Sequence, residues 1–129
     1  MKKLKSYKLL VVEDDVLVAK AYIFFLKKAG FRLFHVNNGN DVLKVVSREK
    51  PDIILLDLII PGRNGFEVLE DLKKGIHKNI PVIIVSNLGQ ETDQQKCYEL
   101  GATDFIIKSN VSMSKVLERI QKILNTGNK

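Results

Sequence analysis

Five short runs rich in Leu, Ile, Val and Phe, each followed by a longer segment with helical spacing of apolar residues, limit the fold of this 129-residue chain most strongly. Such an alternation is typical of an α/β protein in which a helix follows every strand. The runs predict β-strands at Lys8–Val12, Arg32–Val36, Ile53–Asp57, Val82–Ser86 and Asp104–Ile107. The pattern therefore indicates one open, mostly parallel sheet.

The first, third and fourth runs are apolar almost without interruption. Strands of this kind are buried on both faces, so helices must cover both sides of the sheet. The first helix is predicted to begin after an Asp14 or Asp15 cap and to end at Gly30. The later helices are predicted at Asn40–Arg48, Gly65–Lys73, Glu91–Leu100 and Ser112–Leu124. The fold class predicted is α/β: a single flavodoxin-like, doubly wound (βα)5 domain with the strand order 2-1-3-4-5.

The composition, 45% hydrophobic and 28% charged, allows a buried apolar core beneath a charged surface. We expect one domain over residues 1–129, with a core of about residues 7–125 and no output domain. The apolar runs are too short for a bilayer, and Glu13 and Asp14 follow the start too soon for a secretory signal. The expectation is a cytoplasmic protein without a membrane partner.

The net charge of +6 comes from basic residues scattered over every segment. Because they form no stripe and accompany no binding motif, we expect no direct nucleic-acid binding. The single Cys97 cannot form an internal disulfide, and neither His35 nor His77 belongs to a metal-ligand cluster. These three residues are expected to be incidental to function.

Polar residues stand at the carboxyl ends of four of the five predicted strands: Glu13 and Asp14, Asp57, Ser86 and Lys108. In an open parallel sheet, ligands bind beyond the carboxyl ends of strands, near the point where the strand order reverses. With the order 2-1-3-4-5, strands one and three are neighbours, so the three carboxylates should lie close together. Like charges that close repel unless a cation intervenes. Mg²⁺, or Mn²⁺, is the expected cofactor because it binds carboxylate oxygens and joins them to phosphate.

An aspartate in such a site can act as a nucleophile in phosphoryl transfer, and Asp57 is the best-placed candidate. Lys108 offers a fixed positive charge, and the Ser86 hydroxyl can hydrogen-bond a phosphoryl oxygen. Alone, Asp14 or Asp15 is equally well explained as a helix cap. The whole set is harder to explain in that way, since burying unpaired carboxylates costs on the order of several kcal/mol. The occurrence of the carboxylates together with Ser86 and Lys108 predicts a phosphoryl-transfer site.

These residues, in this order, resemble the response-regulator receiver family of two-component (phosphorelay) signalling. The similar motifs are LLVVEDD near the start, LLDLIIPGRNG in the middle, Ser86 after PVIIV, and DFIIK near the end, and they extend over essentially the whole chain. The resemblance implies a switch that accepts a phosphoryl group from a sensor histidine kinase or a histidine phosphotransfer protein. It also implies regulation of a downstream protein, with homodimer formation on phosphorylation as a further outcome.

By the same resemblance, Glu13 and Asp14 would be the metal-binding acidic pair, and Asp57 both a metal ligand and the phosphoacceptor. Ile59 would contribute its backbone carbonyl to the metal. The domain would promote its own phosphorylation and dephosphorylation without being a turnover enzyme.

The resemblance also implies that Ser86 is the switch hydroxyl, Phe105 the switch aromatic residue and Lys108 the lysine that pairs with phosphate. Two departures stand out. Ser109 occupies a position where the family usually has proline, which leaves the geometry after strand five open. Phe105 lacks the hydroxyl of a tyrosine, which favours a buried rotamer whether or not the site is phosphorylated.

Ile59 and Leu88 lie two positions beyond Asp57 and Ser86, where family members line the path of the attacking water. Because both side chains are apolar, we expect a long-lived phosphoryl state. Helix one has apolar residues beyond its core stripe, namely Leu17, Ile23 and Phe24. They indicate either a docking surface for the kinase or a locally thicker core.

Three other functions are compatible with parts of the sequence. An aspartate-dependent phosphatase would need a second acidic residue close after Asp57, where Ile59 stands. A flavodoxin-like cofactor protein would need a phosphate-binding loop after strand one, and no such loop is present in the sequence. A degenerate receiver that only binds proteins would not need the complete set of site residues.

Overall fold

The carboxyl ends of all strands lie at one edge of the sheet because every strand pair is parallel. The computed structural model describes residues 7–127, and its five strands have the order β2-β1-β3-β4-β5. They are β1 (Lys8–Val12), β2 (Arg32–Val36), β3 (Ile53–Leu56), β4 (Val82–Ser86) and β5 (Asp104–Ile107). The helices are α1 (Val16–Lys28), α2 (Val42–Glu49), α3 (Gly65–Lys74), α4 (Glu91–Glu99) and α5 (Met113–Gly127). The predicted fold class and strand order are confirmed.

Alternate residues of each strand enter two separate apolar clusters, one on each face of the sheet. Leu9 and Val11 of β1 point toward α1 and α5, whose buried residues include Tyr22 and Ile120. The intervening Leu10 belongs to the cluster that α2, α3 and α4 cover. The nearly continuous apolar strands therefore have the two-sided burial that their sequence predicts.

The third strand is one residue shorter than predicted. The backbone N–H of Asp57 still donates to the Val12 carbonyl at 3.1 Å. The Asp57 side chain, however, accepts a hydrogen bond from the Ile59 amide at 3.1 Å. This local turn ends the strand at Leu56 and directs the chain away from the sheet.

The second helix begins at Val42, two residues later than predicted, because Gly39–Asp41 forms a separate 3-10 turn. The Asn38 side chain accepts a hydrogen bond from the Asp41 amide at 3.0 Å and caps this turn. The last helix extends beyond the predicted end to Gly127. The outer limits of the predicted domain, residues 1–6 and 128–129, lie outside the described residues.

The cap of α1 decides which of two adjacent aspartates is free for another role. The Asp15 side chain accepts hydrogen bonds from the Leu17 and Val18 amides at 3.0 and 3.1 Å. Asp15 is therefore the N-cap, which leaves Asp14 available to the neighbouring acidic cluster. None of the helices in the described range is long and apolar enough to cross a membrane.

Candidate functional site

The acidic cluster forms where β1 and β3 end side by side. Val12 pairs with Leu56, so the residues that follow them emerge next to each other. One carboxylate oxygen from each of Glu13, Asp14 and Asp57 lies within 4.8 Å of the others. Glu13 is only 3% exposed and Asp57 only 7%, whereas Asp14 is exposed. The sheet thus brings together the three carboxylates that the sequence predicted to meet.

Lys108 joins two of these carboxylates through one ammonium group. Its Nζ donates to Glu13 Oε1 at 2.6 Å and to Asp57 Oδ2 at 2.9 Å. Its side chain is only 18% exposed, so solvent screens these contacts weakly. Lys108 begins the short 3-10 turn Lys108–Asn110 that follows β5. This turn is the backbone conformation after strand five, which Ser109 in place of proline had left open.

The pKa values in the cluster reflect competition between burial and ion pairing. Burial raises the pKa of Glu13, and the negative charge of Asp57 adds to this effect. Hydrogen bonds from Lys108 and from the Asp15 amide counteract the rise without reversing it. Burial by itself lowers the pKa of Lys108, but its hydrogen bonds and charge attraction to the two carboxylates raise it above the ordinary value. Lys108 therefore stays protonated at neutral pH.

Both carboxylate oxygens of Asp57 have a donor. Oδ1 accepts from the Ile59 amide at 3.1 Å, and Oδ2 accepts from Lys108. The Ile59 side chain, by contrast, is 62% exposed beside the site. A carboxylate held at both oxygens has a restricted orientation, which favours attack on a correctly placed electrophile.

Ser86 lies at the end of β4, the neighbour of β3, and Phe105 lies on β5, the edge strand beyond β4. Ser86 is fully buried, pairs with Ile107 of β5, and its Oγ accepts a hydrogen bond from the Leu88 amide at 3.2 Å. Phe105 is 7% exposed and packs in the cluster that also contains Leu56. Burial of Phe105 is what the missing tyrosine hydroxyl led us to expect.

The donor set fits a hard divalent cation. Lys108 pairs with two of the three carboxylates, Glu13 and Asp57, so two negative charges are left to be balanced when all three are ionised. Mg²⁺ and Mn²⁺ prefer carboxylate and carbonyl oxygens, and both tolerate retained water. From residue 7 to residue 127, this cluster is the one group of three or more His, Cys, Asp and Glu side chains close enough to share an ion.

His35, which its sequence context had indicated to be incidental, contacts the acidic site. Its Nε2 donates to the Glu13 backbone carbonyl at 2.8 Å when that nitrogen carries the proton. The sequence does hold a signal, because His35 stands one residue before the end of β2, beside β1. The ring therefore helps to hold the backbone of an acidic site residue.

Two further predictions concern residues outside the site. Cys97 is completely buried in α4, and burial raises the pKa of its thiol to about 11, so it is no nucleophile at neutral pH. His77 contacts Ser47 at 3.1 Å and is not a member of the Glu13, Asp14 and Asp57 cluster. Both observations agree with structural or incidental roles.

Residues 9–121 of this chain match the sequence model of a protein family, the response regulator receiver domain. The BeF3-activated N-terminal receiver domain of Klebsiella pneumoniae RstA is 29% identical, with a TM-score of 0.83 over 88% of this chain and 95% of that one. The receiver domain of Francisella response regulator 1452 is 26% identical, with a TM-score of 0.87 over 96% and 100%. A LuxR-family DNA-binding response regulator from Staphylococcus aureus is 28% identical, with a TM-score of 0.84 over 91% and 98%.

Proposed function

The chain belongs to the response regulator receiver domain family, and on this premise we propose that Asp57 accepts a phosphoryl group from a phosphorylated histidine. Family membership implies phosphorylation-dependent signalling, and the assignment of residues within it is our proposal. The observation that carries the assignment is the Lys108 ammonium group, which bridges the buried carboxylates of Asp57 and Glu13. A sensor histidine kinase or a histidine phosphotransfer protein is the proposed donor.

In the proposed transfer, an Asp57 carboxylate oxygen attacks phosphorus and forms the O–P bond of an acyl phosphate. The P–N bond to the donor histidine breaks, and the histidine nitrogen keeps that electron pair. The Ile59 amide and Lys108 orient the attacking carboxylate, each through one oxygen. Lys108 also offsets negative charge on the transferred group, and Glu13 holds Lys108 in place.

Glu13, Asp14, Asp57 and the backbone carbonyl of Ile59 would hold Mg²⁺ or Mn²⁺. When bound, the ion would neutralise charge on the phosphoryl oxygens and help to orient them. The close carboxylates support this assignment, because without a cation their mutual repulsion is only partly balanced by Lys108.

The conformational response is proposed to pass through Ser86 and Phe105. A phosphoryl group on Asp57 adds charge and acceptor oxygens, which attract the Ser86 hydroxyl and Lys108. Ser86 now accepts from the Leu88 amide, so its movement would also displace the loop after β4. Phosphorylation can shift the equilibrium between two conformations of the domain only if one of them accommodates the phosphoryl group at a lower free energy. The size of the shift is set by that difference in free energy.

The proposed kinase-docking surface lies on α1. Leu17 is 78% exposed and Phe24 is 70% exposed, and both remain candidates for partner contact. Ile23 is only half-buried and does not stand out with them. The downstream target is proposed to be a protein. DNA binding is a property in the description of the Staphylococcus aureus relative and is not proposed for this chain.

Treatment with acetyl phosphate and Mg²⁺, followed by intact-mass measurement, tests the proposed function. The unmodified protein should gain one phosphoryl group, and Asp57→Asn should gain none. Asp93→Asn is the matched control, because Asp93 lies on α4 outside the acidic cluster, and it should be labelled like the unmodified protein. Labelling that persists in Asp57→Asn would contradict the proposal, and sustained turnover of phosphate esters would favour an enzyme instead.

A further inference from the structure

The loop after β3 is held at its far end by the loop after β2. The Gly39 amide donates to the Pro61 carbonyl at 2.9 Å. In the opposite direction, the Arg63 amide donates to Asn40 Oδ1 at 3.1 Å. Two hydrogen bonds of opposite direction therefore join residues 39–40 to residues 61–63.

The same two loops touch so closely that a Cβ atom on either of their glycines, Gly39 or Gly62, would collide with the other loop. A Cβ atom on Gly39 would lie 1.7 Å from the Arg63 carbonyl oxygen. Gly62 has a φ of +77°, and a Cβ atom there would lie 2.6 Å from Asn40 Nδ2. The contact is thus direct packing of backbone against backbone and against the Asn40 side chain.

The near end of the loop after β3 is closed separately. The Gly65 amide donates to the Leu58 carbonyl at 2.9 Å, and a Cβ atom on Gly65 would lie 2.4 Å from Leu58 Cα. Ile60 is buried in the core at 8% exposure. Ile59 lies between these attachments, and its amide donates to Asp57 Oδ1. Its backbone is therefore tethered on both sides.

We propose that Asn40 is a positioning residue for the metal site, acting through the loop after β3 on the backbone of Ile59 and the carboxylate of Asp57. The inference rests on the proposed function, in which both groups bind the ion. A backbone carbonyl can act as a ligand only where its direction is set, and groups that orient metal ligands typically affect metal affinity strongly. Asn40 itself is exposed, so its side chain contributes to this loop contact and not to the core.

Asn40→Ala tests the proposal through the binding of Mg²⁺ alone. The dissociation constant from calorimetric titration should rise about tenfold, because the Arg63 amide loses its acceptor. Hydrogen exchange of the Ile59 amide in the metal-free protein should become faster. The metal-free melting temperature should change little, by about 2 °C or less, since Asn40 is exposed.

Asn37→Ala is the matched control, because the Asn37 side-chain oxygen accepts from its neighbour Asn38 and not from the loop after β3. It should bind Mg²⁺ like the unmodified protein. Gly39→Ala disturbs the same contact from the backbone side and should also weaken binding. An unchanged dissociation constant in Asn40→Ala would overturn the positioning role if the unmodified protein binds Mg²⁺. No binding by the unmodified protein would instead overturn the proposed metal site.

Discussion

Lys108 and Glu13 illustrate how much a single charged residue depends on its neighbours. Both are largely buried, and the Lys108 ammonium contacts Glu13 and Asp57. Charge burial opposes folding unless ion pairs and hydrogen bonds compensate. The raised pKa of Glu13 indicates that, at this carboxylate, burial and the nearby Asp57 outweigh the help from Lys108. The metal-free site is thus expected to carry a folding cost that a cation would relieve.

Glu13→Gln should change the pH dependence of stability in a defined direction. The folded protein binds the Glu13 proton more tightly than the unfolded chain, so ionisation of Glu13 opposes folding. Its contribution to the free energy of unfolding therefore falls as pH rises from the ordinary value of 4.5 through the raised value. Gln cannot ionise, so the variant should gain stability relative to the unmodified protein over this range. Lys108 stays charged throughout the range and adds no slope.

Urea unfolding in the presence of a chelator, at about pH 4 and about pH 7, measures this difference. Glu67→Gln is a suitable control, because Glu67 is half-buried and belongs to the capping box of α3, outside the acidic cluster. A stability difference between Glu13→Gln and the unmodified protein that does not vary with pH would argue against the raised pKa.

Ile59→Asn should shorten the lifetime of the phosphoryl group on Asp57. Ile59 is apolar and 62% exposed beside the site, so it cannot orient an attacking water by hydrogen bonding. An amide at the same position could do so, and exposed substitutions usually change stability by no more than about 0.5 kcal/mol. The decay of intact mass after removal of acetyl phosphate measures the lifetime.

Ile76→Asn controls for the chemical change, since Ile76 is 91% exposed on the loop before β4. Its phosphoryl lifetime should equal that of the unmodified protein. Loss of the phosphoryl group within seconds in the unmodified protein would speak against a long-lived state. Equal lifetimes in Ile59→Asn and the unmodified protein would contradict the role given to the Ile59 side chain.

At the level of elements, α1 has two faces with different chemistry. Ala19, Tyr22 and Leu26 are buried against the sheet. Leu17 and Phe24 face outward, and the Lys28 ammonium lies 5.4 Å from the centroid of the Phe24 ring. The exposed Phe24 ring and the cation beside it do not contribute to packing of the helix on the sheet. Their exposure therefore supports a role of this surface in contact with a partner.

Phe24→Ser should slow phosphoryl transfer from the partner kinase and leave labelling by acetyl phosphate unchanged. The small donor needs only the acidic site, whereas a protein donor also needs a docking surface. Leu43→Ser is the matched control on α2, where Leu43 is 40% exposed. Parallel rate measurements with both donors separate the two steps, and an equal loss with both donors would count against docking at Phe24.

The helix α4 buries very little of its surface in the core. Cys97 is the one buried residue between Glu91 and Glu99, all of which lie in the described range. The Lys96 ammonium adds a contact 4.4 Å from the centroid of the Phe66 ring on α3. An element with few buried apolar contacts can shift at a low cost in free energy, and α4 directly follows the loop that contacts Ser86.

At the scale of the whole molecule, Mg²⁺ binding and folding should be coupled. An ion that binds only the folded protein stabilises it by about 2.7 kcal/mol when its concentration is one hundred times its dissociation constant. The free energy of unfolding from urea titrations should therefore rise with Mg²⁺ concentration. Asp14→Asn should reduce this increase with little other disturbance, since Asp14 is exposed.

Asp93→Asn should retain the full increase, because Asp93 is outside the cluster of carboxylates. Stability that does not respond to Mg²⁺ in the unmodified protein would contradict a divalent cation site. A response of equal size in Asp14→Asn would exclude Asp14 as a ligand.

Sequence patterns predicted most of the fold and the membership of the acidic cluster. Continuous apolar strands require helices on both faces, and parallel strands place their carboxyl ends at one edge. Glu13 and Asp57 could therefore be placed together, because each follows directly after an apolar run. The bounds of β3 and α2 differed by one or two residues, since side-chain hydrogen bonds within the turns compete with regular structure.

The sequence by itself determined the parallel α/β sheet and the edge at which the carboxylates, Ser86 and Lys108 meet, because strand periodicity and strand ends are local properties of the chain. Two contacts were decided only by the tertiary structure. The Lys108 ammonium group binds both Glu13 and Asp57, and Asn40 accepts a hydrogen bond from the loop after β3. Those contacts join residues between 23 and 95 positions apart. They depend on atomic distances between separate elements, which no local pattern of residues specifies.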